Sequence, residues 1–329
     1  MEIIIRNFER KDIEAISELW NKTVAVRDFY QPLSLEQIKD IIFDNKSFRE
    51  DGAFVALDKD KIVGFACGFI RLGEEEDDTK PGYFNTIVVD PDYQRNYIGT
   101  NLFNHIYDWF KKCGKKAIRS VFLSPANYPW YIPETNHHNH PGAPAIPINS
   151  PEFFFLIRLG FDIQGEIDGF HLPLSKYFMP QRVLDIIEEN KKLGLTVEVY
   201  DKDKHYGIEE FCEAIQNPGF ARSIRYNLNR EKPYPFLVAS DHGKVVGWTG
   251  PMYTESTGRG HLDGIAVDPS IRGRGLGKML FCTLCQYSKD QGSSFMTFFT
   301  GWENPARRIY LFAGFRVGQS FAIMKKEIK

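Results

Sequence analysis

Residues 261–277 read His-Leu-Asp-Gly-Ile-Ala-Val-Asp-Pro-Ser-Ile-Arg-Gly-Arg-Gly-Leu-Gly, and they place anion-binding and titratable groups side by side. Gly273, Gly275 and Gly277 let a main chain approach a ligand closely and adopt positive φ. Arg272, Arg274 and, one residue on, Lys278 add formal positive charge. A helix that starts here aims unpaired N–H groups and a partial positive charge at whatever lies in front of it, which suits a phosphate. Upstream, His261 and Asp263 share one side of an extended run by period two. An imidazole with an ordinary pKa near ~6.5 is suited to accept a proton at neutral pH.

The elements that must hold these residues follow from local pattern. Leu262, Ile265 and Val267 read as a strand that Asp268-Pro269 stops. Leu276, Leu280, Leu284 and Tyr287 then recur at helical spacing. Two familiar glycine-rich loops do not fit. Gly277-Lys278-Met279 lacks the hydroxyl that a nucleotide P-loop needs, and the glycine order differs from the dinucleotide fingerprint.

The pattern that remains, Arg272-x-x-Gly275-x-Gly277, resembles the acyl-CoA loop of the GCN5-related N-acetyltransferases. In that family the loop follows the fourth strand and cradles the CoA pyrophosphate. Asn304-Pro305-Ala306, then Tyr310 four residues before Gly314-Phe315, resembles the family's closing helix, whose tyrosine points at the CoA sulfur. The resemblance implies an acetyl-CoA-dependent N-acetyltransferase acting on a primary amine of a small molecule or peptide. It implies cofactor contacts at Ile265, Ala266, Val267, Arg272, Gly273, Arg274, Gly275, Leu276, Gly277, Lys278 and Asn304, with free N–H groups near Ile265 to Val267 as an oxyanion hole. Tyr310 becomes the acid. His261 stands where many members carry a glutamate base, so His261 or Asp263 is the candidate base, the alternative being polar side chains satisfied at a pocket wall.

A repeat organises the rest. Val89-Asp90-Pro91 matches Val267-Asp268-Pro269 at an offset of 178, Lys61 to Phe65 matches Lys244 to Trp248 at 183, and Gly160-Phe161 returns as Gly314-Phe315. Two copies of one α+β fold are expected, each a central mixed sheet flanked by helices: residues 1–175, a linker helix over 176–194, and 195–329 as the catalytic lobe. The first copy departs at both diagnostic places, with Tyr97 where the middle glycine belongs and Leu156 where the tyrosine would stand. It also carries a Pro- and His-rich insertion at 125–151, expected as a flap. The acidic run Glu74 to Asp78 is expected to be a solvated hairpin tip. Residues 217–234, rich in arginine and aromatics, are the acceptor-pocket candidates.

Composition bounds the remaining possibilities. At 329 residues the chain is comfortable for two domains, and its net charge of −2 gives no bulk attraction to nucleic acid or acidic membrane. The N-terminus lacks an apolar signal core, and no stretch nears ~20 apolar residues, so a cytoplasmic protein is expected. Five cysteines without a framework suit a reducing compartment. Cys282-x-x-Cys285 reads as helix core, and His137, His138 and His140 lack the partners of a metal site, so no metal is expected. Alternatives to an acetyltransferase are a non-catalytic acyl-CoA sensor or scaffold, a transferase for a longer acyl group, and transfer to a hydroxyl. Acceptor identity and oligomeric state do not follow from the sequence.

Overall fold

A computed structural model describes residues 2–24, 29–121 and 124–329. The chain divides into two compact units. The first comprises Met1–Gly169, Phe299–Trp302 and Gly318–Lys329, and the second Phe170–Phe298 and Glu303–Val317.

The first unit opens with β1 (Ile3–Asn7), α1 (Ile13–Thr23), the short α2 (Leu35–Ile38), β2 (Phe48–Asp58), β3 (Lys61–Phe69) and β4 (Gly82–Val89). It continues through α3 (Ile98–Lys112), β5 (Ala117–Ser120), β6 (Trp130–Tyr131), β7 (Asn139–His140), β8 (Ile146–Pro147), α4 (Pro151–Arg158) and β9 (Asp162–Pro173), whose last residues belong to the second unit. Then come α5 (Gln181–Lys191), β10 (Leu195–Val199), α6 (Ile208–Ala214), α7 (Pro218–Leu228), β11 (Leu237–Asp241), β12 (Lys244–Gly250), β13 (Arg259–Gly260) and β14 (Gly264–Val267). The chain closes with α8 (Leu276–Asp290), β15 (Phe295–Gly301), α9 (Arg307–Phe312) and β16 (Arg316–Glu327).

The larger sheet is mixed, as expected, whereas β10-β11-β12-β14 pairs antiparallel throughout. In the first unit β1, β2, β3 and β4 follow one another antiparallel, and β4 runs parallel to β5. β16 then pairs antiparallel with β5, Met324 opposite Ser120. α1 buries Ile13, Ile16, Leu19 and Trp20, the residues that recur at helical spacing, and Ser34 and Gln37 form a reciprocal capping box at α2. In the second unit the order is β10-β11-β12-β14, with β13 parallel to β15. One core joins Leu237, Leu276, Leu280, Leu284, Phe281 and Tyr310. Cys282 and Cys285 lie fully buried within it on α8, and burial pushes both thiols up, Cys282 to about 11.

The acidic run lies in the connection between β3 and β4 with Glu76 and Asp78 exposed, as expected, and it also closes on a cation. The buried Lys115 ammonium donates to the carbonyls of Glu74, Glu75 and Asp77, so the loop wraps a cation. The insertion is packed rather than open. Trp130 is fully buried, donates its indole N–H to Gly142 O at 2.9 Å, and stacks on Phe29 and His140. Among the described residues no cluster of three or more His, Cys, Asp or Glu side chains could hold a metal, and no helix is long and apolar enough to cross a membrane.

Candidate active site

The strand expected over 262–267 is shorter, Gly264–Val267. Arg259 and Gly260 pair with Phe295 and Met296 of β15, and the chain then leaves that neighbour and pairs only with β12, Ile265 opposite Thr249 and Val267 opposite Gly247. β14 is therefore an edge strand beside a widening gap. The Asp268 N–H bonds to Val246 O at 2.9 Å, which fixes the alternation of the antiparallel ladder. Ala266 then spends its N–H on Trp248, whereas the N–H groups of Ile265 and Val267 point to the open side. The side chains of Ile265 and Val267 pack on the core shared with α8, and Ala266 faces the opposite one.

The glycine-rich turn lies between this edge and α8. Gly273 and Gly275 have φ of +92° and +77°, and Gly275 is the N-cap of α8. Ordinary residues resist this left-handed backbone by about 1–2 kcal/mol each. Leu276 is buried and seats the helix start in the core, and a Cβ on Gly277 would come within 2.9 Å of Ile309 Cδ1. Arg272 and Arg274 are exposed and have no carboxylate partner among the described residues, and the Lys278 ammonium sits 4.6 Å from the Phe312 ring centre. The turn thus gathers three cations and the unpaired first N–H groups of a 15-residue helix.

A residue without any local sequence signal fixes the turn. The buried Asn190 of α5 donates to Arg274 O at 2.8 Å and contacts Met279 Sδ at 3.1 Å. Ile186, one helical turn earlier, is the atom wall that leaves Gly275 no room for a Cβ. The linker helix is therefore a buttress of the loop, a role set by a partner 84 residues away.

Tyr310 is 7 % exposed, with its ring 4.5 Å from Phe298, 4.8 Å from Phe281 and 5.7 Å from Phe170. Its hydroxyl has no hydrogen-bond partner among the described residues, and burial pushes its pKa up to about 12. At neutral pH it is a phenol with a proton to give. Asn304 Oδ1 accepts from Ala306 N at 3.0 Å and caps the turn into α9.

His261 and Asp263 form one network with groups that local reading did not single out. His261 Nδ1 lies 2.9 Å from Glu255 Oε1, and Nε2 lies 2.9 Å from Asp263 Oδ1. Ser223 of α7 donates to the other Asp263 oxygen. The buried Arg259 holds both oxygens of Glu255 and donates to Thr297 O. Burial opposes charge on His261, but the hydrogen bonds to Asp263 and Glu255 outweigh it and raise its pKa. The hydrogen bond from His261 lowers Asp263. Burial would lift Glu255, yet its bonds to His261 and Arg259 hold it down to about 2. Both imidazole nitrogens face carboxylates, which favours the protonated ring and fixes Asp263 beside it. Glu255 and Arg259 flank a tight turn, Glu255 N bonding to Arg259 O at 2.8 Å, so no helical spacing marks them as a pair.

The first unit repeats the geometry with other residues. Asp90 N bonds to Val63 O, which turns the N–H groups of Ile87 and Val89 to the open side of β4. Arg95 and Tyr97 hold φ of +63° and +59° where the second copy has glycines. Tyr97 is 73 % exposed, so its ring projects outward, and a cavity of about 690 Å³ remains, lined by Ile87, Val89, Arg95, Tyr97 and Phe155 among others. Leu156, buried, stands in the tyrosine's place.

Comparison with known proteins agrees with this architecture. The sequence model of the acetyltransferase (GNAT) family matches residues 14–129 and 199–315. A glucosamine 6-phosphate N-acetyltransferase of Trypanosoma brucei brucei is 43% identical over 56 residues, 15% of this chain and 37% of that enzyme. Among solved structures, the GCN5-related glucosamine N-acetyltransferase region of a fungal multi-domain GH3 β-N-acetylglucosaminidase superposes with a TM-score of 0.65 at 16% identity, over 99% of this chain and 38% of that one. A GCN5-related N-acetyltransferase from Sphaerobacter thermophilus gives 0.60 at 17% identity over 99% and 96% of the two chains. A tandem GNAT protein of clavulanic acid biosynthesis gives 0.57 at 12% identity over 100% and 99%. The chain spans little more than a third of the first two relatives, and likeness at these structural identities concerns the fold.

Proposed function

The chain belongs to the acetyltransferase (GNAT) family as a tandem two-domain member, and from that premise we propose that its C-terminal lobe transfers acetyl from acetyl-CoA to a primary amine. The observation that carries the reading is the open edge of β14 beside the start of α8. Arg272, Arg274 and Lys278 and the N–H groups from Gly273 to Gly277 would receive the pyrophosphate. The N–H groups of Ile265 and Val267 would take the thioester oxygen and strengthen as it becomes an oxyanion, where one donor is worth about 3–4 kcal/mol.

Asp263 would dock the ammonium as a carboxylate, His261 holding it in place, and the ammonium would release its proton to solvent from there. The free amine then bonds to the acetyl carbon and loses its second N–H proton to solvent, the C–S bond breaks, and its electron pair goes to sulfur, where Tyr310 donates a hydrogen bond. A thiol's ordinary pKa is about 8.5, far below the value near 12 of Tyr310. The phenol therefore serves as a hydrogen-bond donor to the developing thiolate, with full transfer completed from solvent. The first lobe, with Leu156 in place of a proton donor, is assigned no chemistry. Five free cysteines agree with a cytoplasmic setting.

Thiol release from acetyl-CoA across a panel of primary amines, beside calorimetry with acetyl-CoA, tests the proposal. Amine-dependent release together with cofactor binding is expected. Binding without release with any amine would favour the sensor, and release only with long-chain acyl-CoA would favour the other transferase.

A further inference from the structure

The wall that leads away from Asp263 ends at a guanidinium without a counter-ion. Tyr253 stacks on His261 with ring centres 4.3 Å apart and planes at 16°. Tyr234 stacks on Tyr253 at 4.4 Å and 27°. Arg230 lies over Tyr234, its Cζ 4.5 Å from the ring centre, and 6.0 Å from that of Tyr226. These rings and Arg230 form a continuous surface running from the carboxylate of Asp263, through His261, to a positive charge.

Arg230 differs from its charged neighbours. Arg225 is paired with Glu209, and Arg259 with Glu255. The Arg230 side chain makes no ion pair or hydrogen bond among the described residues, and its Nε is buried without an acceptor. Leaving a buried donor unmade is unfavourable, yet the tyrosine faces hold the guanidinium in one plane by cation–π contact. A planar fork of donors so held matches the two oxygens of a phosphate or carboxylate. The two carboxylates beside His261 offer no substitute, because Glu255 and Asp263 are engaged by Arg259, His261 and Ser223.

We propose that Arg230 anchors an anionic group on the acceptor, so that the substrates of this site are primary amines that also carry a phosphate or carboxylate. The inference rests on the reading that the amine docks at Asp263, and it adds the second recognition point. The amine and the anion lie at opposite ends of the aromatic ladder, and the body between them lies on Tyr253 and Tyr234. An amine without the anion reaches only one end.

Matched pairs test this: glucosamine and glucosamine 6-phosphate, ethanolamine and phosphoethanolamine, cadaverine and lysine. Each is assayed by thiol release with wild type, Arg230→Met and Arg230→Lys. Wild type is expected to favour the anionic member of a pair. Arg230→Met should raise KM for that member about 10- to 100-fold, the scale of a charge-assisted bidentate bond, with kcat, the KM of the neutral member and the KM of acetyl-CoA unchanged. Arg230→Lys should restore part of the loss. Equal effects on both members, or no preference in wild type, would overturn the proposal. Calorimetry of the three anionic amines with CoA-loaded protein gives a readout independent of turnover: binding lost in Arg230→Met supports the anchor, and no binding to wild type refutes it. Failure of the underlying reading shows separately, as acetyl-CoA failing to bind wild type.

Discussion

Tyr310→Phe separates a catalytic phenol from a core aromatic, because the substitution removes one atom and keeps the ring. The ring contacts to Phe298, Phe281 and Phe170 are unchanged. The hydroxyl makes no bond to the described residues, so its loss leaves no partner stranded, and stability should stay within about 1 kcal/mol of wild type. For a unit of this size that is a melting shift of about 2–4 °C at most. The effect on rate should be far larger. General-acid assistance contributes about 10²- to 10⁴-fold, and a thiolate with a pKa near ~8.5 needs less help than an alkoxide would. The lower end is therefore expected, about 10²-fold in kcat, or about 2.7 kcal/mol of barrier. The assay is initial-rate thiol release with acetyl-CoA and a reactive amine, accompanied by calorimetric affinity for acetyl-CoA and a melting curve. A kcat within twofold of wild type at unchanged affinity would assign Tyr310 to packing alone and remove it from the chemistry.

The loop gives a paired expectation. Gly275→Ala should lower both melting temperature and acetyl-CoA affinity, since its Cβ would sit 2.9 Å from Ile186 Cγ2 at a φ of +77°. Adding Ile186→Ala should return part of the melting loss, and strict additivity in that cycle would contradict the clash. Asn190→Ala releases the Arg274 carbonyl and should weaken acetyl-CoA binding about 3- to 10-fold, the scale of one net hydrogen bond, with kcat retained; an unchanged Kd would separate α5 from the loop. His261 has a raised pKa in the folded state. The stability it contributes is complete below the ordinary value near ~6.5 and is lost as pH rises through the higher folded value. Glu255, held down to about 2, contributes above its ordinary range near ~4.5 and loses that only as pH falls toward the folded value. The melting gap between wild type and His261→Gln should therefore narrow from pH 6 to pH 9, and a constant gap would count against the charged imidazole.

Much of the fold was legible because the repeat exposes it. The face of α8, the strand before it and the glycine turn follow from short-range periodicity, which residues within a turn or two of each other impose. What stayed hidden depends on distant partners. The break between Gly260 and Gly264 reflects a change of neighbour from β15 to β12, which a continuous apolar alternation does not show. Asn190 reads as an ordinary polar residue of an amphipathic linker until the loop it supports is placed beside it. His261 looks like a base from its ordinary pKa, and only its two carboxylate neighbours raise that pKa. Tyr97 looks like an obstruction from its bulk, whereas a left-handed backbone sends its ring outward. The segment 217–234, noted for its arginines and aromatics, includes α7, which supplies Ser223, and the loop that supplies Arg230.

The central claim is that acyl-CoA is gripped where β14 parts from β15 and α8 begins. A crystal structure of the protein with acetyl-CoA tests it most directly. The expected result places the pyrophosphate on the N–H groups of residues 273–277 and the thioester oxygen within hydrogen-bond reach of Ile265 or Val267 N–H. Pyrophosphate density on residues 94–99 alone, with the β14 edge empty, would contradict it.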